Sequence, residues 1–345
     1  MRKGTYPSSN GRNTIAYYVY EPGAGAPCGT SGPAAGPETL GTEADRPGAG
    51  DGMRPAPRAV VQISHGMCEY LERYGDFAAY LNDRGILVCG NDHLGHGGSV
   101  DSGEDFGYFA ERDGWRCLVE DAHRLTVRMK EEYPQTPYFL LGHSMGSFIA
   151  RACISLYGDE YSGAVLMGTS GSNPLSSAAY PLVKAMSKTR GDRFRSRLVN
   201  DFAFGTYNAK FRPQKTEYDW LSNDEEQVER FRDDPRCNFV FTLGGFLDLY
   251  HLLRYISRRD WAREVPTDLP VLLLSGSMDP VGRYGKGVKE VHDRLAFAGS
   301  KDLIIRLYPG CRHELLNESG RVLVYEDIFR WLDRRCPPVP CGIRA

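Results

Sequence analysis

The chain has 345 residues, of which 41% are hydrophobic, so it can build one large domain with a buried core or two smaller domains. Its 42 basic and 44 acidic side chains give a formal net charge of −2, which argues against nucleic acid or an anionic membrane as a partner. No run of about 18 apolar residues is present, so we expect no membrane span.

The cysteines and the first residues indicate the compartment. The nine cysteines are an odd number and none forms a C-x-x-C pair, which argues against a zinc or redox site. The first residues lack the apolar segment of a secretory signal. We therefore expect a cytoplasmic protein, with no metal and no cofactor.

The first twenty residues predict a β-hairpin, because residues 8–11 have turn composition and Thr14 to Tyr20 are β-branched and aromatic. From residue 21 to residue 57 the composition changes to Gly, Ala, Pro, Thr and Glu. Such a segment has little to bury, so we expect a flexible insertion that is poorly ordered.

Two further apolar runs, residues 58–64 and 86–90, predict buried strands. The second leads into a glycine-rich loop that contains His93 and His96, which have the spacing of some zinc ligands. The loop contains no Cys, and no third His lies nearby in the sequence. We therefore interpret the segment as a structural loop in which Asp92 accepts hydrogen bonds from backbone N–H groups.

The most informative stretch is Gly142-His143-Ser144-Met145-Gly146, which follows a short apolar strand at residues 138–141 and precedes a helical pattern at residues 148–157. A strand, Gly-x-Ser-x-Gly and a helix in this order predict a sharp turn that exposes the serine hydroxyl in strained backbone geometry. A plain glycine-rich turn is the alternative. We favour the interpretation of Ser144 as a nucleophile.

The strand at residues 58–64 ends in His65-Gly66-Met67. A glycine after a strand allows the next backbone N–H to turn toward a nucleophile, so the N–H groups of Met67 and Met145 are candidate oxyanion donors. An ordinary strand-to-loop glycine is the alternative.

The second half of the chain first departs from strand–helix alternation and then returns to it. Residues 171–261 are predicted to be a helical lid rich in aromatic residues, between core segments at 1–170 and 262–335, with a mobile tail at 336–345. Asp279 follows an apolar strand and His313 follows the last one, where α/β enzymes collect catalytic groups. The alternation predicts an α/β fold with a mostly parallel, doubly wound sheet.

These motifs, taken as an ordered set, resemble the α/β-hydrolase superfamily, and specifically its monoacylglycerol lipase and lysophospholipase group. The matching segments are His65-Gly66-Met67-x-Glu69-x-x-x-Arg73-Tyr74, Asp92-His93-x-Gly95-His96-Gly97-x-Ser99, Gly142-His143-Ser144-Met145-Gly146, Gly276-Ser277-Met278-Asp279, His313-Glu314 and a lid stretch from Trp220 to Pro235. The resemblance covers nearly the whole chain apart from residues 21–57 and the tail.

The resemblance implies a catalytic triad of Ser144, Asp279 and His313, in the chain order that this fold uses. It also implies that Glu69, Arg73 and His143 lie near the polar end of a pocket that receives the head group. The bulky pair Met67-Cys68 departs from the smaller residues common in the family. Among the lid aromatics, Phe241 and Phe246 are our candidates for contact with an acyl chain.

The predicted activity is hydrolysis of a small, lipid-like carboxylic ester, with transient membrane contact through the lid. A serine aminopeptidase of the same fold is the main alternative, and it would need lid carboxylates such as Asp224, Glu225 and Glu226 to bind a free amine. A non-catalytic receptor is disfavoured because nucleophile, acid and base are all present. Haloalkane dehalogenase or epoxide hydrolase chemistry would need a carboxylate in place of Ser144.

Overall fold

A computed structural model describes residues 1–23, 56–172 and 174–336. Most of the predicted flexible insertion at 21–57 and most of the predicted tail at 336–345 lie outside these ranges. Among the described residues, no helix is both long and apolar enough to cross a bilayer.

The centre of the fold is an eight-stranded sheet in the order β1-β2-β4-β3-β5-β6-β7-β8. Its strands are β1 (Arg2–Pro7), β2 (Thr14–Tyr20), β3 (Ala59–Ser64), β4 (Ile86–Asn91), β5 (Tyr138–His143), β6 (Gly163–Met167), β7 (Val271–Gly276) and β8 (Leu303–Tyr308). The β1–β2 hairpin pairs antiparallel to β4, and every pair from β4 to β8 is parallel. This confirms the predicted α/β sheet and its strands.

Helices cover both faces of the sheet. The helices are α1 (Gly75–Asn82), α2 (Gly114–Glu132), α3 (Met145–Leu156), α4 (Pro174–Arg190), α5 (Arg197–Phe204), α6 (Glu225–Asp233), α7 (Leu243–Ser257), α8 (Lys286–Phe297) and α9 (Arg321–Asp333). Helices α1 and α9 pack on one face, whereas α2, α3 and α8 pack on the other. Parallel strands buried on both faces must be apolar along their whole length, which explains the continuous apolar runs of the sequence.

Successive side chains of β5 show this double burial. Tyr138 and Leu140 belong to the core under α2 and α3, while Phe139 and Leu141 belong to the core under α1 and α9. Because the central strands are parallel, their carboxyl ends meet at one edge of the sheet. Helices α4 to α7 lie between β6 and β7 in the chain, and α7 packs on α2 and α3.

Candidate active site

Ser144 occupies a strained turn between β5 and α3. Its backbone has φ 52° and ψ −121°, which is unusual for a residue with a side chain, and it remains partly exposed. A Cβ on Gly146 would lie 1.9 Å from the Ser64 carbonyl oxygen, so only glycine fits between the turn and β3. The predicted elbow geometry is confirmed, but the helix begins at Met145 and not at Phe148.

Asp279 and His313 form a buried pair at the ends of β7 and β8. The Asp279 Oδ1 atom lies 3.0 Å from His313 Nδ1, and both side chains are almost fully buried. The carboxylate is held by the Val281 N–H at 2.9 Å and by the Ser275 hydroxyl at 3.3 Å. Because Nδ1 is bonded to the carboxylate, Nε2 is the ring nitrogen that can accept a proton.

The structure brings this pair close to the serine turn. The His313 ring centroid lies 4.9 Å from that of His143, the residue that precedes Ser144. On the other side, a Cβ on Gly66 would come within 3.1 Å of Ser144 Cβ, so the loop after β3 touches the serine directly. The ends of β3, β5, β7 and β8 therefore meet around the Ser144 side chain.

The two candidate oxyanion donors have backbone N–H groups without an acceptor among the described residues. Met145 is the first residue of α3, so its N–H has no partner within the helix. Met67 lies on the loop after β3 and is partly exposed. Both N–H groups are therefore free to bind an oxygen that carries developing charge.

His65 fixes the peptide that carries the Met67 N–H. Its Nδ1 lies 2.8 Å from the Gly66 carbonyl oxygen, which can only accept, so Nδ1 carries the proton. Its Nε2 in turn accepts the His93 N–H at 2.9 Å. In a trans peptide the carbonyl and the following N–H point in opposite directions, so holding the Gly66 carbonyl against His65 directs the Met67 N–H away from that ring.

Behind Ser144 lies a buried polar network of Glu69, Arg73, His143 and Glu314. Arg73 makes two hydrogen bonds to Glu314, at 2.9 and 2.7 Å, and a third to Glu69 at 2.9 Å. The other oxygen of Glu69 lies 2.9 Å from His143 Nδ1. Glu314 and Arg73 are 241 positions apart in the chain, and the sequence analysis gave Glu314 no role.

The charges of this network compensate one another. Burial alone would raise the pKa of Glu69, but the hydrogen bond and charge of His143 and the charge of Arg73 lower it well below its ordinary value. Burial lowers the pKa of His143, and the Glu69 carboxylate more than reverses this and raises it. The His143 Nε2 atom is buried and has no hydrogen-bond partner among the described residues.

The structure does not bring the predicted acyl-chain contacts Phe241 and Phe246 to an open surface. Both side chains have no solvent-exposed surface. Phe241 packs against His96 and Phe109, with ring centroids 5.4 and 5.3 Å away. An aromatic pattern in a helical segment does not reveal which rings fill the interior, and these two pack against the core.

Other aromatic rings extend from the site instead. The Trp220 ring lies 5.1 Å from His313, Tyr207 lies 5.0 Å from Trp220, and Phe204 lies 5.5 Å from Tyr207. All three rings are partly exposed. They form a continuous apolar surface from the histidine into the segment between β6 and β7, which the sequence analysis missed.

The Trp220 segment is tied to the His313 loop by hydrogen bonds. The Glu314 N–H donates to the Leu221 carbonyl at 2.7 Å, and the Asn223 N–H donates to the Glu318 carboxylate at 3.1 Å. Glu318 is itself almost fully buried. These bonds hold Trp220 beside the catalytic histidine candidate.

A second serine–histidine pair lies beneath the site. The Ser64 hydroxyl is 3.0 Å from His93 Nε2, and both side chains are fully buried. The adjacent Asp92 accepts the N–H groups of Leu71 and Gly98, as predicted for a structural loop. Within the described ranges, no group of three or more His, Cys, Asp or Glu side chains could hold a metal ion.

One known family covers most of the chain. Residues 55–320 match the family described as serine aminopeptidase, S33. A monoacylglycerol lipase of Mycolicibacterium smegmatis is 29% identical over 80% of this chain and 88% of its own length. The monoglyceride lipase of Homo sapiens is 28% identical over 81% of this chain and 84% of its own.

The structural comparison agrees. The crystal structure of a thermostable carboxyl esterase from Bacillus coagulans, in complex with glycerol, superposes with a TM-score of 0.82 and 28% identity, covering 96% of this chain and 98% of the esterase. The fold described above is therefore the α/β-hydrolase fold.

Proposed function

The chain belongs to the serine aminopeptidase S33 family, and from this premise we propose that it is a serine hydrolase of carboxylic esters with an apolar acyl chain. The substrate would be of monoacylglycerol or lysophospholipid type. The observation that carries the proposal is the strained, partly exposed Ser144. It follows His143, whose ring lies 4.9 Å from the ring of His313 in the Asp279–His313 pair.

In the proposed reaction His313 Nε2 takes the proton of the Ser144 hydroxyl as Oγ attacks the ester carbonyl carbon. The N–H groups of Met67 and Met145 stabilise the oxyanion, and each such donor lowers the barrier by about 3 kcal/mol. The proton on His313 then passes to the alcohol that leaves, which produces an acyl-enzyme on Ser144. Water activated by the same ring releases the acid, while Asp279 stabilises the imidazolium.

The proposed acyl-binding surface is formed by Phe204, Tyr207 and Trp220, because these rings are partly exposed and run from His313. Burial of each methylene against them would contribute about 0.8 kcal/mol. Residues 171–261 would act as the lid over this surface. The division into a lid at residues 171–261 and a core at residues 1–170 and 262–335 is part of the proposal.

The proposed head-group end contains Glu69, Arg73 and His143. Glu69 pairs with Arg73 and His143, and Arg73 also pairs with Glu314, so Glu69 and Arg73 would act mainly by holding His143. His143 Nε2, buried and without a partner, is the atom that supports a hydrogen bond to a substrate hydroxyl.

The aminopeptidase alternative has less support. Asp224 caps α6 by accepting the Gln227 N–H, Glu225 pairs with Lys215, and Glu226 pairs with Arg230. Glu225 and Glu226 have highly exposed side chains at the start of a surface helix. A free amine would therefore meet no buried carboxylate from this group.

The test is a side-by-side assay of p-nitrophenyl esters of increasing chain length, monoacylglycerols, lysophosphatidylcholine and aminoacyl arylamides. We expect kcat/KM to rise with acyl length and then fall, with the arylamides poor. Trp220→Ala should flatten the chain-length profile, whereas Phe241→Leu, at a fully buried position, should leave its shape unchanged. A flat profile in the parent enzyme with good arylamide cleavage would favour the peptidase.

A further inference from the structure

The two edges of the sheet differ in how they are protected against a further strand. The β1 edge carries Arg2 and Lys3 at its start and Pro7 at its end. Both charges are held in ion pairs, Arg2 with Glu132 and Lys3 with Glu72. Charged side chains, and proline with no N–H to donate, are the usual devices that keep an edge strand from pairing with another chain. The sequence of β1 therefore disfavours pairing at this edge.

The β8 edge lacks these devices. Five of the six residues in Leu303–Tyr308 are aliphatic or aromatic. Ile304 and Leu307 are 39% and 41% exposed. The one charged residue, Arg306, is already paired with Asp327 on α9. An apolar edge strand of this kind is one that proteins normally cover.

The outer side of β8 also has free backbone groups. The carbonyl groups of Asp302 and Tyr308 accept N–H groups from the first residue of β7 and from the residue after its end, each at 2.9 Å. Because the backbone groups of a strand point alternately to its two sides, those of Leu303, Ile305 and Leu307 point away from β7. Among the described residues β8 pairs only with β7. These three residues therefore present N–H and C=O groups that a further strand can bind.

A groove with a largely apolar floor runs along this edge on the α8 side. It is lined by Ile305 and Leu307 of β8, by Tyr284, and by Lys289 and His292 of α8. The Lys289 ammonium group is already paired within α8. A strand added to an open sheet edge binds through its backbone, and pockets beside the edge receive its alternate side chains. The groove is such a pocket for apolar side chains.

A second copy of β8 is complementary to this edge. When two copies run antiparallel about a two-fold axis at Ile305, Leu303 of each copy lies opposite Leu307 of the other. About six backbone hydrogen bonds would then join the two strands. The side chains of these three residues lie on the α8 side of the sheet. Leu303 and Ile305 of each copy would therefore enter the groove of the other.

The side chains on the α9 side are compatible with the same pairing. It places Ile304 of one copy opposite Arg306 of the other. The aliphatic stem of Arg306 can cover this isoleucine while its charge stays with Asp327. Lys301 precedes the strand, so its two copies lie at opposite ends of the pairing, roughly 26 Å apart. No like charges would therefore meet within the paired strands.

Other occupants of the β8 edge are less suitable. The β1 edge of another copy would bring charged side chains and a proline against an apolar strand. That contact would also join two different edges and would not close on itself. The residues that follow Cys336 include Pro337, Pro338 and Pro340, which have no N–H to donate to a ladder. The β8 edge of a second copy has none of these disadvantages.

We propose that the β8 edge is the interface of a homodimer, in which two copies pair antiparallel about Ile305 and join their sheets into one. The proposal rests on the sheet edge and not on the proposed esterase function. Ser144, Asp279 and His313 all come from one chain, so each copy keeps its own candidate active site. Separating the copies should therefore leave ester hydrolysis intact.

The first test is the mass of the full chain in solution, measured by light scattering after size-exclusion chromatography at about 1 to 100 µM. We expect twice the 38.5 kDa of one chain at the higher concentrations. Ile305→Lys and Leu307→Lys should be monomeric, because the first places two like charges at the axis and the second places a charge in the groove. The matched control Leu156→Lys, at a leucine of α3 that is 50% exposed, should remain dimeric. Circular dichroism melting shows whether each variant is folded.

The second test examines the pairing itself. Ile305→Glu should also be monomeric, and an equal mixture of Ile305→Glu and Ile305→Lys should restore the dimer, because residue 305 meets its own counterpart at the axis. Hydrogen exchange at the amides of Leu303, Ile305 and Leu307 should slow by at least about tenfold between dilute and concentrated parent protein. This exchange measurement and Leu307→Lys decide the question even if the substitutions at Ile305 prevent folding.

Several outcomes would overturn the proposal. They are a monomeric parent chain, a dimer that persists in folded Ile305→Lys or Leu307→Lys, a mixture of folded variants that stays monomeric, and exchange that does not depend on concentration. A parent chain that dimerises only after residues 337–345 are removed would assign the edge to that segment and not to a second copy. Hydrolysis of p-nitrophenyl butyrate, measured in parallel, tests the esterase function separately.

Discussion

Two combinations of serine and histidine lie at the carboxyl ends of the sheet strands, Ser64 with His93 and Ser144 with His313, and only the second has the features of a catalytic site. Ser64 and His93, at the ends of β3 and β4, are fully buried and hydrogen-bonded to each other. Ser144, at the end of β5, is partly exposed, and its hydroxyl has no hydrogen-bond partner among the described residues. Residue types and their proximity therefore do not identify a nucleophile.

The carboxylates differ in the same way. Asp279 contacts His313 Nδ1 directly, whereas Asp92 binds two backbone N–H groups and the Tyr18 hydroxyl. A carboxylate can stabilise an imidazolium only when it faces the ring. The Ser64–His93 pair therefore holds the loop in place, while Ser144 and the Asp279–His313 pair are proposed to perform the chemistry.

The largest expected effect separates the two serines. Ser144→Ala should fold normally and lose at least about ten thousandfold in kcat, because no other group can form the acyl-enzyme. Ser64→Ala should keep kcat within about tenfold and lose about 1–3 kcal/mol of unfolding free energy, since a buried polar partner is left unsatisfied. Ester hydrolysis and urea unfolding measure the two quantities. The reverse pattern would make Ser64 the nucleophile.

The two aspartates provide the next comparison. Asp279→Asn should lower kcat about a thousandfold to ten thousandfold, because the amide no longer holds the His313 tautomer or stabilises its positive charge. Asp92→Asn should reduce stability far more than it reduces kcat, since it disturbs the N–H groups of Leu71 and Gly98. Steady-state kinetics at saturating ester, with melting temperatures, distinguish them. Full activity in Asp279→Asn would contradict the proposed triad.

A smaller effect is expected at His65, which acts through the Gly66–Met67 peptide. His65→Ala removes the donor to the Gly66 carbonyl and should lower kcat roughly tenfold to a hundredfold with little change in KM, because one oxyanion donor is no longer held. His65→Asn places an amide N–H near the same position and should recover part of kcat. If both variants lost the same fraction of kcat, His65 would have only a structural role.

The last prediction concerns acid stability. Burial lowers the pKa of His65, of His93 and of His96, the last to about 3. Because these buried imidazoles take up a second proton more readily in the unfolded chain, the unfolding free energy should fall as pH decreases below about 6.5, by up to about 1.4 kcal/mol per pH unit for each ring. His96→Asn should reduce the pH dependence of the unfolding free energy by about 1.4 kcal/mol per pH unit. Urea unfolding at several pH values measures this dependence. An unchanged slope would show that His96 does not contribute.

Local sequence determined much of this protein. The apolar runs specify the strands, because both faces of a parallel sheet are buried, and their order places Asp279 and His313 at strand ends. The strained turn at Ser144 requires glycine beside it, since a Cβ at Gly146 would collide with β3. Fold class, chemistry and candidate nucleophile follow from neighbours along the chain, so the sequence suffices for them.

Contacts between distant segments were decided only by the tertiary structure. Phe241, Phe246 and Trp220 are all aromatic residues of one insertion, yet the first two are fully buried and Trp220 lies beside His313. Arg73 meets Glu314 across 241 positions. Each outcome depends on how helices pack against the sheet, and that packing is a property of the whole chain and not of any local pattern.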